Sequence, residues 1–214
     1  MFINPDQTTS TARLFDILAL GERLAEEGAN RQVRLTSRPD MQRFFRQQAA
    51  QERLHRIVFE NASAFLAPRG NAHMHRFESF VQFERLMQSA CKRQDLPETL
   101  LAQQVVLEGL GDVVLERIDE GMTERGMSFS ALRRALRRQE HAHHEFGIRK
   151  LEELRQFGEI DEGALRNKAA EYLAITDRAL EQLTDLFACF DEDPAMYRGQ
   201  LRETIPHWLR PAHL

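Results

Sequence analysis

The segment Gln139-Glu140-His141-Ala142-His143 repeats a pattern found far earlier in the chain, Gln51-Glu52-Arg53-Leu54-His55. Each reads Gln-Glu-x-x-His. Positions i and i+3 share one face of an α-helix, so each segment, if helical, aims a carboxylate and an imidazole at one point. One such pair is weak evidence, because Glu and His are common on solvated helix faces. Two copies in different parts of one chain point to a shared target.

The surrounding sequence supports the helical reading. Its 214 residues include 26 Leu against 15 Val plus Ile, with only 11 Gly and 7 Pro. Good helix formers dominate and β-branched residues are scarce, which predicts an all-α protein. Apolar periodicity places helices over about 11–35, 40–66, 72–93, 95–120, 130–157 and 161–190, with a short one near 194–202. Residues 1–10 read as a lead-in, and 121–126 as a break. Ser37 or Asp40 is the expected cap of the second helix, and Asp95 opens the fourth. The brief connections pair the helices over 11–35 and 40–66, and those over 95–120 and 130–157, as antiparallel hairpins. A crossover with its own helix joins the hairpins. This is a four-helix bundle over 11–157 with additional helices over 161–205, all in a single domain spanning 1–214.

Such a bundle restricts where the rest of the site can lie. A carboxylate site for two metals takes one glutamate from each of two helices and a Glu-x-x-His from each of the other two. The third long helix offers Glu108 among Val105, Val106, Leu110, Val113 and Val114. A lone acid there is costly to bury without a cation. The first helix offers Glu22, Glu26 and Glu27. Glu52 lies 14 residues after Arg38, while Glu22 lies 16 before it and Glu26 12 before it. Glu22, beside the small Gly21, is chosen, with Glu26 as the alternative. The predicted metal ligands are therefore Glu22, Glu52, His55, Glu108, Glu140 and His143.

Several neighbours have a candidate role. Asp112, one turn beyond Glu108, is a candidate proton relay, although a solvated role is the commoner one. His141 and His144 are assigned to the surface or to positions behind the ligands. Gly109 and Gly111 either open space beside Glu108 or allow close helix packing. Phe44, Phe45, Phe59, Phe65, Phe80 and Phe83 are read mostly as core. Arg133, Arg134, Arg137 and Arg138 form a largely solvated helix face.

Composition narrows the function classes. Lys plus Arg number 29 against 33 Asp plus Glu, a net charge of −4, which argues against a basic nucleic-acid module. No apolar run has the roughly 18 residues of a membrane span. Two cysteines, Cys91 and Cys189, exclude a disulfide scaffold and a CxxC site, and fit a reducing cytoplasm. The opening residues do not read as a signal peptide.

With Glu22, Glu52-x-x-His55, Glu108 and Glu140-x-x-His143, the chain resembles the ferritin-like non-haem di-iron carboxylate proteins over about 11–157. Residues 140–147 look like the ExxHxxFG stretch of oxygen-activating members. The long separation of Glu52 from Glu108 is more similar to the aldehyde-deformylating oxygenases and R2-like oxidases than to compact ferritins. Many relatives carry Asp where this chain has Gln51 and Gln139. The resemblance implies two iron ions, or manganese or a mixed pair, and an oxygenase or oxidase that activates O2. It further implies a small, partly apolar organic substrate and an external electron donor, either a reductase or a ferredoxin. A monomer or homodimer is expected. The alternative reading is a ferroxidase or iron-storage protein.

Overall fold

A computed structural model of the protein describes residues 5–67, 77–124 and 130–210. The described residues are helical nearly throughout and contain no strand. Helix α1 (Pro5–Gln32) and α2 (Pro39–Leu66) form the first long pair. Phe15 stacks on Phe59 and Glu22 meets His55, so partner numbers fall along α2 as they rise along α1, and the two run antiparallel. Helix α3 (Glu78–Lys92) follows, then α4 (Leu96–Leu100). A π-helical segment, Leu101–Leu107, continues α4 without a break into α5 (Glu108–Glu124). Helix α6 (Ser130–Gln156) returns beside α5. Ion pairs Asp119–Arg133 and Glu116–Arg137, about one turn apart on each helix, fix that pair as antiparallel. Helices α7 (Glu162–Gln182), α8 (Thr184–Ala188) and α9 (Pro194–Thr204) follow, and a 3-10 turn over His207–Leu209 is the last element among the described residues.

The core gathers around the π segment. Every residue from Leu100 to Val106 is fully buried. A helix apolar around most of its circumference belongs at the centre of a fold, where each face meets another element. Here α1, α6 and α7 all pack on it. Two glycines permit the closest approaches: a Cβ at Gly147 would stand 2.3 Å from the Gln104 Cβ, and one at Gly28 would meet the Gln103 side chain.

Element boundaries depart from expectation in instructive places. Helix α1 starts at Pro5, well before residue 11, and gives way to a turn over 33–35 through bonds from Arg34 N to Arg31 O and Leu35 N to Gln32 O. Pro5 suits a first helical position because its missing N–H costs nothing there. Neither Ser37 nor Asp40 caps α2: Arg38 occupies the cap, and Pro39 and Asp40 stand in the first turn. Asp95 and Asp161 do cap their helices, accepting from Glu98 N and Ala164 N. The helix expected over 161–190 is broken at Leu183, where the bend lets Leu183 and Leu186 reach Ile17 on α1. Residues 72–76 and 125–129 lie outside the described residues.

Among the aromatic positions read as core, Phe65 is the exception: it is 84% exposed. Of the α6 arginines read as a solvated face, Arg133 and Arg137 pair with acids of α5, while Arg134 and Arg138 face solvent. Neither cysteine forms a disulfide. No described helix is long and apolar enough to cross a membrane.

Candidate metal centre

Four helices deliver the six side chains to one buried place. Glu22 comes from α1, Glu52 and His55 from α2, Glu108 from the first position of α5, and Glu140 and His143 from α6. All six residues are at most 8% exposed. They fall into two groups able to hold a metal ion: Glu22, Glu52, His55 and Glu140, and then Glu52, Glu108, Glu140 and His143. Within each group the ligand atoms lie within 4.8 Å of one another. Glu52 and Glu140 belong to both. The alternative first-helix acid, Glu26, points elsewhere and pairs with Arg56 Nε at 3.3 Å.

The imidazoles are oriented by amides that cross between helices. His55 Nε2 of α2 lies 2.7 Å from Gln139 Oε1 of α6, and His143 Nε2 of α6 lies 2.8 Å from Gln51 Oε1 of α2. Facing an amide oxygen, each Nε2 is the donor, which leaves Nδ1 bare in the neutral ring. Nδ1 then faces carboxylates: His55 Nδ1 is 2.9 Å from Glu140 and 3.1 Å from Glu52, and His143 Nδ1 is 2.9 Å from Glu52. The residue preceding each Glu-x-x-His thus serves the histidine of the opposite motif. Sequence left these two glutamines without a partner, because their pairing depends on the register of α2 against α6.

This arrangement fits a cation. Both oxygens of Glu52, Glu140 Oε1, His55 Nδ1 and His143 Nδ1 are buried without a hydrogen bond. Bare nitrogen and carboxylate oxygen present lone pairs to each other, and only a proton or a metal between them makes the contact favourable. Burial raises Glu22 well above the usual carboxylate range, with the charge of Glu140 adding to it. Glu140 is pushed up to about 7, first by burial and then by the neighbouring Glu108 charge. Burial pulls the His143 imidazole down, but contacts with Glu108 and Glu52 outweigh it and push it up to about 11. His55 is likewise raised, as Glu140, Glu22 and Glu52 overcome the effect of burial. Four carboxylates and two neutral imidazoles carry four negative charges, which two divalent cations would offset.

The surroundings revise several expectations. Gly109 does not face open space: a Cβ there would stand 3.0 Å from His144 Cε1 and 3.2 Å from Leu201 Cδ1. Gly111 lets α5 approach Glu140, whose Oε2 would lie 3.2 Å from an added Cβ. His144 takes the buried of its two expected positions, and its Nδ1 lies 3.0 Å from the Gln104 carbonyl oxygen. His141 is exposed and its Nδ1 lies 3.0 Å from Asp112 Oδ2, which raises the imidazole pKa. Phe44 stacks on Phe146 and meets the His143 ring edge-on at 5.9 Å, closing that side to water. Clefts of about 450 and 650 Å³ lie away from the six ligands, one along Arg31, Arg34 and Lys92 and the other along Pro97, Glu98 and Lys168.

Sequence reasoning missed a further set. Gln48 of α2 donates to Glu108 Oε1 at 2.7 Å, and Gln104 and Gln32 lie behind it. Their signal in the sequence was faint: Gln103-Gln104 interrupts an apolar run that otherwise reads as wholly buried.

Comparison with known proteins adds no relative. No protein-family model matches the chain, and no curated protein matches it significantly. The chemistry of the site rests on its own residues.

Proposed function

We propose that the chain is a ferritin-like four-helix bundle enzyme, a non-haem di-iron oxygenase or oxidase acting on a small, partly apolar organic substrate. The observation that carries this reading is the sharing of Glu52 and Glu140 between two buried ligand groups. Glu22 and His55 would complete one position, and Glu108 and His143 the other. When bound, a pair of redox-active ions supplies electrons to O2 and a Lewis-acidic centre beside the substrate.

The chain's own residues have distinct tasks in this reading. Gln139 and Gln51 hold the Nε2 protons of the two imidazoles and so present Nδ1 inward. Phe44 and Phe146 keep water from the His143 side. Asp112 and the exposed His141 form an acid–imidazole pair, one turn from Glu108 and adjoining Glu140, that holds a proton between Asp112 Oδ2 and His141 Nδ1. Two cysteines are too few for an iron–sulfur cluster site, so electrons come from a separate reductase or ferredoxin.

One observation favours a second reading, a ferroxidase or iron-storage protein. The space beside Glu108 that a substrate would use is filled at Gly109 by His144 and Leu201. Anaerobic loading with ferrous iron, metal counting and O2 uptake against a substrate panel separate the two. The oxygenase binds one iron per ligand group, uptake stops there, and the chain runs as a monomer or dimer on size exclusion. Glu52→Ala and Glu140→Ala each remove a ligand common to both groups and reduce iron content by more than Glu22→Ala does. A large hollow particle that keeps taking up iron supports the storage reading. Shared-ligand variants that keep full metal content overturn the metal centre itself.

A further inference from the structure

Three glutamine side chains are fully buried and bonded to one another at the heart of the molecule. Gln32 of α1 and Gln104 of the π segment exchange two amide hydrogen bonds, of 2.9 and 2.8 Å. Gln104 Nε2 also donates to Gln48 Oε1 at 2.9 Å, and Gln48 Nε2 donates to Glu108 Oε1 at 2.7 Å. None of the three glutamines exposes any surface. Burying amides is costly unless their bonds are made, so a fully bonded row of this kind fixes its members in place. The row also has a direction. Because the Gln48 oxygen receives the Gln104 amide, its NH2 group faces Glu108.

We infer that Gln48, braced by Gln104 and Gln32, is a positioning residue that commits one oxygen of Glu108 and makes the two ion positions unequal, so that the Glu108–His143 position fills before the Glu22–His55 position. This rests on the metal centre proposed above. Glu108 Oε1 is occupied by Gln48, and Oε2 is the oxygen that faces the cluster, 3.6 Å from His143 Nδ1. Glu108 is therefore oriented before any ion arrives. Glu22 is different. Its carboxylate has one described partner, His55 Nδ1 at 3.5 Å, and its side chain is 10% exposed against 2% for Glu108. The adjoining Gly21 has open space where a Cβ would stand. A ligand already held loses less freedom on binding than one that must be ordered at that moment, so the braced position has the higher affinity. Each histidine has an equivalent amide behind it, so the asymmetry comes from the glutamates alone.

Titration with Mn2+ followed by electron paramagnetic resonance tests this on the full chain. At one equivalent, the wild-type protein gives the six-line signal of an isolated ion; at two, the signal of a coupled pair. Crystals soaked at one equivalent show anomalous density beside Glu108 and His143. Gln48→Met keeps the volume, removes the donor and lowers the affinity of the first step about 10- to 100-fold, with the second step little changed. Glu22→Ala abolishes the second step and leaves the first. Circular dichroism and thermal melting of the metal-free variants establish that they are folded. If Gln48→Met does not fold, the order of filling in the wild-type crystals still decides. First density beside Glu22 and His55, a coupled signal from the earliest additions, or an unchanged first step in folded Gln48→Met overturns the inference while leaving the metal centre intact. A wild-type protein that binds no Mn2+, Fe2+ or Co2+ overturns the metal centre instead.

Discussion

The α1–α2 pair and the α5–α6 pair carry the same motif in different settings. In the first, Glu22 stands on an unbroken α-helix, next to a glycine with nothing against it. In the second, Glu108 stands where a π segment becomes an α-helix, and the glycines near it are pressed against His144 and Glu140. A π turn accommodates an extra residue and shifts the side chains that follow, and such turns are frequent at functional sites. The comparison teaches that two copies of one ligand pattern do not make two equal half-sites. The packing behind each copy sets how firmly its glutamate is held.

The largest effect should come from filling the closest approach in the second half. Gly147→Ala drives a methyl group into Gln104, including its backbone, and lowers stability by about 1–3 kcal/mol. Gly21→Ala meets nothing and raises stability by up to about 1 kcal/mol through helix propensity. Thermal or denaturant unfolding of both metal-free variants measures the contrast, and equal shifts would erase the distinction between the halves.

A smaller effect is expected from the crossed glutamines. Gln139→Ala frees His55, and Gln51→Ala frees His143, each lowering metal affinity about 10- to 100-fold at the position it serves. Calorimetric titration resolves which step moves. If Gln51→Ala weakened the Glu22–His55 position instead, the crossed pairing would not describe the protein in solution. The smallest effect belongs to Glu26. Its pairing with Arg56 is partly solvent-exposed, so Glu26→Gln costs less than about 1 kcal/mol and leaves metal content unchanged. A loss of metal on that substitution would return Glu26 to the ligand set in place of Glu22.

Much of the candidate site could be read in advance because it follows helical periodicity. Glu52 with His55, and Glu140 with His143, need only the i, i+3 rule, and counting either side of a short turn narrows the first-helix acid to Glu22 or Glu26, one turn apart. What could not be read depends on contacts between helices distant in sequence. The partner of Gln51 is set by the register of α2 against α6. The burial of His144 depends on α9, far along the chain, through Leu201 beside Gly109. The π segment is invisible to pattern because it differs from an α-helix by one residue in its hydrogen bonding, and an apolar run suits either. Phe65 was misplaced for the opposite reason: apolar character favours burial but does not compel it.

The amide row has a consequence for how the chain reaches its native state. Its bonds span 56 to 72 positions in sequence, so no hairpin can form it alone. A partly assembled intermediate, with α1 and α2 docked but the π segment absent, would leave Gln32 and Gln48 facing an apolar interior with their hydrogen bonds unmade. That penalty makes half-docked states scarce and links the two halves into one cooperative unit. Backbone amides at the inner ends of α1 and α2 should then exchange with deuterium at the same slow rate as those of the π segment, since exposing either set requires opening both.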